Sequence, residues 1–562
     1  MTHCCCNAGE AMTSLRVRSG ATVDIDVAVV GAGFSGLYML HRLRGLGLRA
    51  RVFERGSDVG GTWYWNRYPG ARCDVESVDY CYSFSGELLA GWTWTERYAT
   101  QQEILRYLSH VADRFGLRRD IQFGTRVTAV RYDAPGNRWL VSTDAGEVVA
   151  ARYCVLAVGC LSSVNKPGFP GLESFRGEWY HTAQWLAGGV DVQGKRVGIV
   201  GTGSTAIQAL PQIARQAARV QVFQRTPNYS MPAQNRPLPP EELREVVRGY
   251  RARRRMAEQA DAGVPVAPPE RSALEVTPAE RERMYEAGWR RGGINALSYA
   301  FTDFFTDERS NFTAQEFARE KIRQIVRDPA VADALCPRHH IGTKRTCVDI
   351  GYFQTYNNDH VELVDVRTSP ITAVTSRGLA TTFGEHALDV IVFAIGFDAI
   401  TGALLEIDIC GRDGLSLATK WSAGPRAYLG LCVAGFPNLF MITGPGSPSV
   451  LSNMVVSIEQ HVDWITGCLE RLESRGLDRI EASAEAEEAW VRHVNELAGA
   501  TLYPRATSWY VGANIPGKPR VFMPYVGGCG RYRRECEEVA ERGYEGFVLG
   551  TAASIATSGS GL

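Results

Sequence analysis

Two glycine-rich turns with the same spacing constrain the fold of this 562-residue chain more than any other feature. The first reads Gly31-Ala-Gly33-Phe-Ser-Gly36 and the second reads Gly201-Thr-Gly203-Ser-Thr-Ala206. Each turn follows an apolar strand, and Leu37, Leu40 and Leu43 after the first turn have the spacing of one helical face. A strand, a glycine turn and a helix start form a Rossmann-type dinucleotide site. The sequence therefore predicts an α/β fold with two Rossmann-like domains.

The strands that follow the two turns end in residues of opposite charge. Arg51-Val-Phe-Glu54 ends in a carboxylate, whereas Val220-Gln-Val-Phe-Gln-Arg225 ends in a guanidinium. A carboxylate at this position accepts hydrogen bonds from a ribose diol, and an arginine suits a 2′-phosphate. The sequence therefore predicts FAD in the first site and NADPH in the second. The candidate contacts are Gly31, Gly33, Phe34, Ser35, Gly36 and Glu54 for FAD, and Gly201, Thr202, Gly203, Ser204, Thr205, Arg225 and Thr226 for NADPH.

The composition favours a soluble globular protein over a membrane protein or a nucleic-acid-binding protein. Hydrophobic residues make up 45% of the chain and charged residues 22%, which is typical of soluble globular proteins. The formal net charge of +0 indicates no nucleic-acid partner, and no apolar run approaches the roughly 20 residues of a membrane span. We see no secretory signal pattern and expect a cytoplasmic monomer or weak oligomer. The 14 cysteines form no CxxC pair, so we expect free thiols and no metal site.

Strand and loop signals divide the chain into nested units. We predict an FAD domain from residues 24–160 and 390–550, an NADP domain from residues 195–389, and a linker at residues 161–194. A helical insertion is expected at about residues 235–330. The run Arg251-Ala-Arg-Arg-Arg255 within it is interpreted as a solvated helical face. Residues 1–23, with Cys4-Cys5-Cys6, and residues 551–562 are expected to be flexible tails.

The stretch from Gly60 to Ser77 follows Glu54 closely, so we expect it beside the bound flavin. Glycine lets the backbone approach the ring system, and aromatic side chains can shield it from water. Cys73 and Cys81 are too widely spaced for the redox cysteine pair of disulfide reductases, which argues against dithiol chemistry. The candidate flavin contacts of this region are Gly61, Thr62, Trp63, Asp74 and Tyr80.

A third motif lies just before the second glycine turn. It reads Phe175-Arg-Gly177-Glu-Trp-Tyr-His181-Thr-Ala-Gln-Trp185. The pattern FxGxxxHTxxW between two dinucleotide turns resembles the signature of the type I Baeyer–Villiger monooxygenases. The resemblance extends from about residue 24 to about residue 550 and is greatest for the phenylacetone and steroid monooxygenase branch. Two positions depart from it: Leu186 replaces the usual proline or aspartate, and Ile395 replaces the usual threonine.

The resemblance implies a reaction. NADPH reduces FAD, dioxygen adds at the flavin C4a, and this C4a-peroxyflavin attacks a ketone carbonyl. The tetrahedral Criegee-type adduct rearranges to an ester or lactone, and water is released. The branch implies bulky aryl, steroid or large-ring ketones as substrates.

The resemblance also implies roles for individual residues. Arg345 matches the catalytic arginine, which suits an anionic reaction because a guanidinium stays protonated, and Asp74 matches the carboxylate that orients it. Lys344 joins Arg225 as a candidate for the 2′-phosphate, and Arg345 is also a candidate cofactor contact. His181 is expected to couple domain movement to turnover, and Trp509 to contact the nicotinamide cofactor. The implied substrate pocket contains Thr62, Val75, Ser449, Val450, Leu451 and Met454.

Other activities stay open on sequence alone. A flavin monooxygenase that oxygenates amines or sulfides needs a protonated peroxide and has less use for an arginine beside the flavin. Lys344, Arg345 and the motif ending at Trp185 therefore favour the ketone reaction. An uncoupled NADPH oxidase that releases hydrogen peroxide is a second alternative, although the substrate-loop pattern argues against it. A non-enzymatic flavoprotein is disfavoured because the nucleotide-binding and charged positions are intact.

Overall fold

The computed structural model describes residues 24–551, so the predicted N-terminal tail, and all but Thr551 of the predicted C-terminal tail, lie outside the described residues. The strands are β1 (Ile25–Val30), β2 (Ala50–Phe53), β3 (Ile121–Gln122), β4 (Val127–Asp133), β5 (Arg138–Thr143), β6 (Val148–Leu156), β7 (Glu178–His181), β8 (Arg196–Val200), β9 (Arg219–Gln224), β10 (Ser230–Pro232), β11 (Cys347–Asp349), β12 (Val361–Asp365), β13 (Ile371–Thr375), β14 (Gly378–Thr381), β15 (Gly384–Ala387), β16 (Val390–Phe393), β17 (Asp408–Cys410), β18 (Leu439–Met441), β19 (Arg479–Ala482) and β20 (Phe547–Gly550). The α-helices are α1 (Phe34–Gly45), α2 (Thr62–Trp65), α3 (Gly86–Ala90), α4 (Gln101–Arg114), α5 (Ser204–Ala214), α6 (Pro240–Gln259), α7 (Pro278–Arg291), α8 (Glu308–Ile325), α9 (Pro329–Leu335), α10 (Tyr352–Thr355), α11 (Gly402–Leu405), α12 (Leu417–Lys420), α13 (Met454–Ser474), α14 (Ala484–Gly499) and α15 (Cys529–Glu541).

The first sheet has eight strands in the order β17-β4-β5-β6-β1-β2-β3, with β18 also paired to β6. Strands β6, β1, β2 and β3 run parallel, whereas β4, β5 and β6 form an antiparallel meander. Helix α1 covers one face of this sheet with Leu37, Leu40 and Leu43, all fully buried. The predicted apolar face of this helix is therefore confirmed.

The second sheet has five parallel strands in the order β12-β9-β8-β16-β7. Apolar clusters cover both of its faces, so β16 and, from Val197, β8 carry no polar side chain, whereas β9 contains the buried Gln221 and Gln224. Helix α5 packs on one face through Ile207, Leu210 and Ile213. The predicted fold class, two Rossmann-like units in an α/β chain, is confirmed.

The position of strand β16 contradicts the predicted domain boundaries. We expected the segment from Val390 to return to the first domain, but it pairs with β8 and β7 in the second sheet. Strand β7 likewise belongs to this sheet and not to a linker. The two connections between the sheets run side by side, with Asp398 N donating to Ser163 O at 3.0 Å and Ile400 N donating to Cys160 O at 2.7 Å. The predicted boundaries at residues 195 and 390 are therefore wrong by one strand each.

The helices of the predicted insertion divide between two cores. Helices α7 and α8 pack around Tyr285 and Phe301 in a cluster of their own, whereas α6 places Tyr250 in the core of the first domain. The interpretation of the arginine run in α6 as a solvated face is wrong for Arg254, which is 6% exposed and paired with Glu459. Among the helices in residues 24–551, none is long and apolar enough to cross a membrane.

Candidate active site

The first glycine turn brings the end of β1 and the start of α1 against the neighbouring backbone. Gly31 has a φ of +107°, and a Cβ there would lie 2.6 Å from the carbonyl oxygen of Ala157. A Cβ at Gly36 would lie 1.8 Å from Gly31 O, so glycine is required for the helix to approach the strand. No side chain caps α1, and its first turn carries no acidic residue. Its first amides are therefore free to bind a pyrophosphate.

Glu54 is buried at the end of β2, at 5% exposure. Its carboxylate accepts hydrogen bonds from Ala32 N at 2.8 Å and Gly56 N at 2.7 Å. These bonds fix the side chain beside the glycine turn, where it lines the same cavity as Gly31 and Gly33. The position fits the predicted contact with the ribose of FAD.

A cavity of about 340 Å³ runs from the first glycine turn to the second domain. It brings together most of the predicted flavin contacts and part of the predicted substrate pocket. The predicted residues that line it are Gly31, Gly33, Phe34, Ser35, Glu54, Gly61, Thr62, Trp63, Asp74, Val75, Tyr80, Ser204, Thr205, Arg345, Val450 and Met454. Ser449 and Leu451 lie beside Val450 but do not line it, and Ser449 is 1% exposed.

Aromatic side chains form one wall of this cavity. The Trp63 indole N–H donates to the Tyr80 hydroxyl at 3.3 Å, and the ring of Tyr80 lies edge-on to that of Phe34 with centroids 5.1 Å apart. Burial raises the pKa of the Tyr80 phenol well above its ordinary value, so it stays neutral. This wall fits the predicted role of the segment after Gly60, which is to keep water from the flavin.

The second glycine turn repeats the geometry of the first. Gly201 has a φ of +114°, and a Cβ there would lie 2.4 Å from Ala394 O. A Cβ at Gly203 would meet no protein atom within 4 Å, so this backbone is open to a ligand. Thr202 Oγ1 donates to Thr226 O at 2.7 Å, which ties the turn to the end of β9. Helix α5 also lacks a side-chain cap and an acidic first turn, as expected for a second pyrophosphate site.

Lys344 and Arg225 lie close enough for their charges to interact. Burial lowers the pKa of Lys344, and the charge of Arg225 lowers it further. Lys344 is half-buried and Arg225 is exposed. Neither side chain forms an ion pair with any residue of the described part of the chain. Two adjacent cations without a carboxylate form a site that suits the 2′-phosphate of NADPH.

Arg345 and Asp74 form a bidentate ion pair in the cavity wall. Arg345 Nε donates to Asp74 Oδ2 at 2.8 Å and Nη2 donates to Asp74 Oδ1 at 2.9 Å. Nη1 donates to the carbonyl of Val450 at 2.6 Å. Burial alone would lower the pKa of Arg345, but the charge and hydrogen bonds of Asp74 outweigh it and raise the pKa above its ordinary value. The guanidinium is therefore held rigidly and stays protonated.

His181 and Trp509 lie outside the cavity lining. His181 ends β7 and is 2% exposed, and its Nδ1 accepts a hydrogen bond from Ala183 N at 3.1 Å. Burial lowers the pKa of His181 to about 4, so the ring is neutral at ordinary pH. Its ring lies 6.4 Å from that of Phe397, in the connection between the sheets. Trp509 is half-buried beside Tyr510, with ring centroids 4.4 Å apart.

Sequence reasoning missed the contact between the two domains at Gln208. The Tyr68 hydroxyl donates to Gln208 Oε1 at 2.8 Å, and Gln208 Nε2 donates to Arg72 O at 3.2 Å. Gln208 lines the cavity and lies one helical turn after Ser204 in α5. A polar residue four positions after a predicted contact, on the same helical face, was a signal that could have identified it.

Comparisons with known proteins agree with this geometry. The family model described as flavin-binding monooxygenase-like matches residues 24–237. The acetone monooxygenase (methyl acetate-forming) of Gordonia sp. (strain TY-5) is 42% identical over 541 residues, which cover 94% of this chain and 100% of that protein. A Baeyer–Villiger monooxygenase of Pseudooceanicola batsensis is 42% identical over 528 residues, covering 93% of this chain and 96% of that protein.

Two further similarities bear on the chemistry. The solved structure of an oxidized steroid monooxygenase bound to NADP is 53% identical, has a TM-score of 0.90, and shares 94% of this chain and 99% of that chain. A phenazine N-monooxygenase of Lysobacter antibioticus is 41% identical over 534 residues, covering 93% of this chain and 97% of that protein. The dinucleotide sites, the bidentate pair of Arg345 and Asp74, and similarity along nearly the whole length lead to one assignment. This chain belongs to the Baeyer–Villiger monooxygenases, which are FAD- and NADPH-dependent flavoproteins.

Proposed function

We propose that this protein is an NADPH- and O₂-dependent monooxygenase that converts ketones to esters or lactones. The observation that carries the proposal is the Arg345 guanidinium, fixed by Asp74 in the wall of the flavin cavity. A guanidinium with a raised pKa can stabilise negative charge on oxygen without giving up its proton. A histidine or lysine in its place could be deprotonated.

Some residues of the site bind the two cofactors, and others stabilise negative charge on the substrate. Bound FAD, after reduction by NADPH, supplies the activation of dioxygen. The free amides at the starts of α1 and α5 bind the two pyrophosphates, and Glu54 holds the ribose of FAD. Lys344 and Arg225 hold the 2′-phosphate of NADPH. Arg345 donates hydrogen bonds to the ketone oxygen as negative charge develops there, and Asp74 keeps the guanidinium oriented.

The substrate class is proposed to be bulky ketones, such as aryl, steroid or large-ring ketones. The apolar side chains of Val75, Val450 and Met454 in the cavity lining support this class. The similar proteins named above include an acetone and a steroid monooxygenase, so substrate size is the property to measure.

The test is aerobic NADPH turnover with acetone, phenylacetone and a steroid ketone, with product masses and peroxide followed together. A product one oxygen heavier that hydrolyses as an ester is the expected result, with higher kcat/KM for the two larger ketones. NADPH consumption matched by peroxide, with all three ketones unchanged, would refute ketone oxygenation and leave an uncoupled NADPH oxidase.

Heteroatom oxygenation is a second candidate, because the phenazine N-monooxygenase is 41% identical over 534 residues. Ketone oxygenation depends on an anion beside Arg345, whereas oxygenation of an amine or sulfide does not. Sulfide oxidation with no ester from any ketone would favour this second activity. A cytoplasmic location and a monomer or weak oligomer stay predictions, which cell fractionation and sedimentation would test.

A further inference from the structure

Arg345 is held by two separate segments of the first domain. Its Nε and Nη2 donate to Asp74, in the loop after α2, and its Nη1 donates to the carbonyl of Val450, in the turn before α13. The orientation of the guanidinium therefore depends on how these two segments are placed relative to each other.

The two segments are joined at Asp79 and Asn453. Asn453 Nδ2 donates to the main-chain carbonyl of Asp79 at 2.8 Å. The same side chain caps α13, because its Oδ1 accepts a hydrogen bond from Val455 N at 3.1 Å. Asp79 belongs to the same loop as Asp74, where its N–H donates to Glu76 O at 2.9 Å. A single amide side chain thus connects the Asp74 loop to the start of α13.

Helix α6 holds this junction from the other side. Arg253 donates to both carboxylate oxygens of Asp79, with Nε to Oδ1 at 2.7 Å and Nη2 to Oδ2 at 2.6 Å. Just after α6, the carbonyl of Ala262 accepts a hydrogen bond from Asn453 N at 2.8 Å. Helix α6 and the turn that follows it therefore contact both members of the junction, Asp79 and Asn453.

The next residue of α6 anchors the helix itself. Arg254 pairs with Glu459 of α13, and both side chains are 6% exposed. Glu459 also accepts hydrogen bonds from Ser83 N at 2.7 Å and Ser83 Oγ at 2.6 Å. This second ion pair keeps α6 on α13, so that Arg253 can hold Asp79 in a fixed place.

The buried bidentate ion pair of Arg253 and Asp79 can hold Asp79 in one orientation. Asp79 is 6% exposed, and burial raises the pKa of its carboxyl, while Arg253 opposes that shift. A buried carboxylate with a planar bidentate partner has a defined direction, which a lysine with a single charged atom would not impose. Loss of Arg253 would leave this carboxylate without its cation and free to protonate and turn.

We infer that Arg253 is a positioning residue for the oxygenation step. It acts through Asp79 and Asn453 to fix the two segments that orient Arg345. This inference rests on the proposed function, because it assigns Arg253 to the step that Arg345 supports. Within residues 24–551, the ion-pair partners of Arg253 are Asp79 and Glu76 rather than Arg345 or a predicted nucleotide contact, so its loss is expected to change coupling rather than flavin reduction.

The test compares Arg253→Met, Arg253→Lys and the control Arg248→Met in the FAD-loaded full-length protein. Arg248 lies on the same helix with its side chain 76% exposed. We expect Arg253→Met to lower the ester formed per NADPH by at least about tenfold, since a displacement of about 1 Å in a catalytic group can cost about 100-fold. Peroxide should account for the NADPH that no longer yields ester. The rate of flavin reduction should stay within about twofold of wild type. Arg253→Lys should recover part of the coupling, and Arg248→Met should match wild type.

A double-mutant cycle separates positioning from general destabilisation. Adding Arg253→Met to Arg345→Lys should lower coupling by less than about twofold, because the guanidinium that Arg253 helps to orient is already gone. Equal coupling in Arg253→Met and Arg248→Met would overturn the inference. Multiplicative losses in the double variant would overturn it as well.

Hydrogen exchange provides a readout that does not depend on the reaction. In Arg253→Met, residues 74–80 and 449–455 should exchange faster than in Arg248→Met, while α7 and α8 keep their wild-type rates. If the wild-type enzyme forms no ester from any ketone, the proposed function fails, and exchange alone decides whether the support by Arg253 exists. Unchanged exchange in both segments would overturn that support, whatever the substrate.

Discussion

Replacing Arg345 with alanine should separate flavin reduction from oxygen transfer. Arginine carries five N–H donors, and three of them serve Asp74 and Val450. The Tyr510 hydroxyl also lies within hydrogen-bonding reach of this guanidinium, which leaves at least one N–H to donate to a substrate oxygen. Loss of one preorganised donor to a developing oxyanion costs about 2.7–4 kcal/mol, or about 10²–10³ in rate. We expect ester formation to fall by at least about 100-fold in Arg345→Ala.

The assay follows the two half-reactions separately. Anaerobic mixing with NADPH measures flavin reduction from the loss of visible absorbance, and aerobic turnover with phenylacetone measures ester and peroxide. Reduction should stay within about threefold of wild type, because the cations predicted to bind NADPH, Lys344 and Arg225, are intact. Arg345→Lys restores a charge without the planar fork, so it should recover only part of the ester formation.

Folding has to be controlled, because the alanine variant leaves Asp74 without its cation. Both side chains are partly exposed, at 23% and 18%, so the loss of stability should be smaller than the about 3–5 kcal/mol of a fully buried pair. Thermal unfolding with bound FAD measures it. Ester formation above about one-hundredth of the wild-type rate in a folded, FAD-loaded Arg345→Ala would refute the catalytic role, since that role requires at least about 2.7 kcal/mol, or about 100-fold in rate.

The remaining predictions concern the nucleotide sites and His181. Lys344→Ala and Arg225→Ala should each raise the KM for NADPH by about 10- to 100-fold and keep the KM for NADH within about twofold of wild type. Equal increases in the two KM values would refute the assignment of these residues to the 2′-phosphate. Gly36→Ala should lower the FAD content of the purified protein because its Cβ would lie 1.8 Å from Gly31 O. Gly203→Ala, whose Cβ meets no atom within 4 Å, should keep full FAD and lose only NADPH affinity, so a folding defect in it would contradict the open site. Burial lowers the pKa of His181 to about 4, below its unfolded value of about 6.5. The folded state therefore favours the neutral ring, and this contribution to the free energy of unfolding is lost as the pH falls from about 6.5 to about 4. His181→Asn should therefore show a shallower loss of unfolding free energy over that range, and an identical pH slope in both proteins would contradict the shift.

Local features of the site could be predicted from sequence because each depends on a short segment. Gly36 is required by its contact with Gly31 in the same turn, Gly31 and Gly201 are required by their positive φ, and Glu54 directly follows β2, which pairs with β1. The pair of Arg345 and Asp74 is different, since 271 positions separate its members. Only the resemblance to a known family connected them, because no periodicity or spacing links residues so far apart.

The errors have a physical cause as well. Strand β16 is buried on both faces, so its sequence, Val390–Phe393, is apolar throughout and fits the centre of either parallel sheet. Its assignment depends on its partners β8 and β7, which the run itself does not specify. Arg254 was missed for a similar reason, because its partner Glu459 lies 205 positions away and an arginine run on a helix usually faces solvent.

The position of the proposed catalytic pair, Arg345 and Asp74, makes the proposed chemistry depend on how the two domains are arranged. Asp74 belongs to the first domain and Arg345 to the second, so the pair exists only while the two domains are docked. Each nucleotide site, in contrast, is built around its own glycine turn. A change at the contact of Tyr68 with Gln208 should therefore disturb the pair before it disturbs either nucleotide site. Such a variant would still bind FAD and NADPH and consume NADPH, but would release more of the oxygen as peroxide. Coupling, rather than cofactor affinity, is thus the quantity that reports on domain docking in this enzyme.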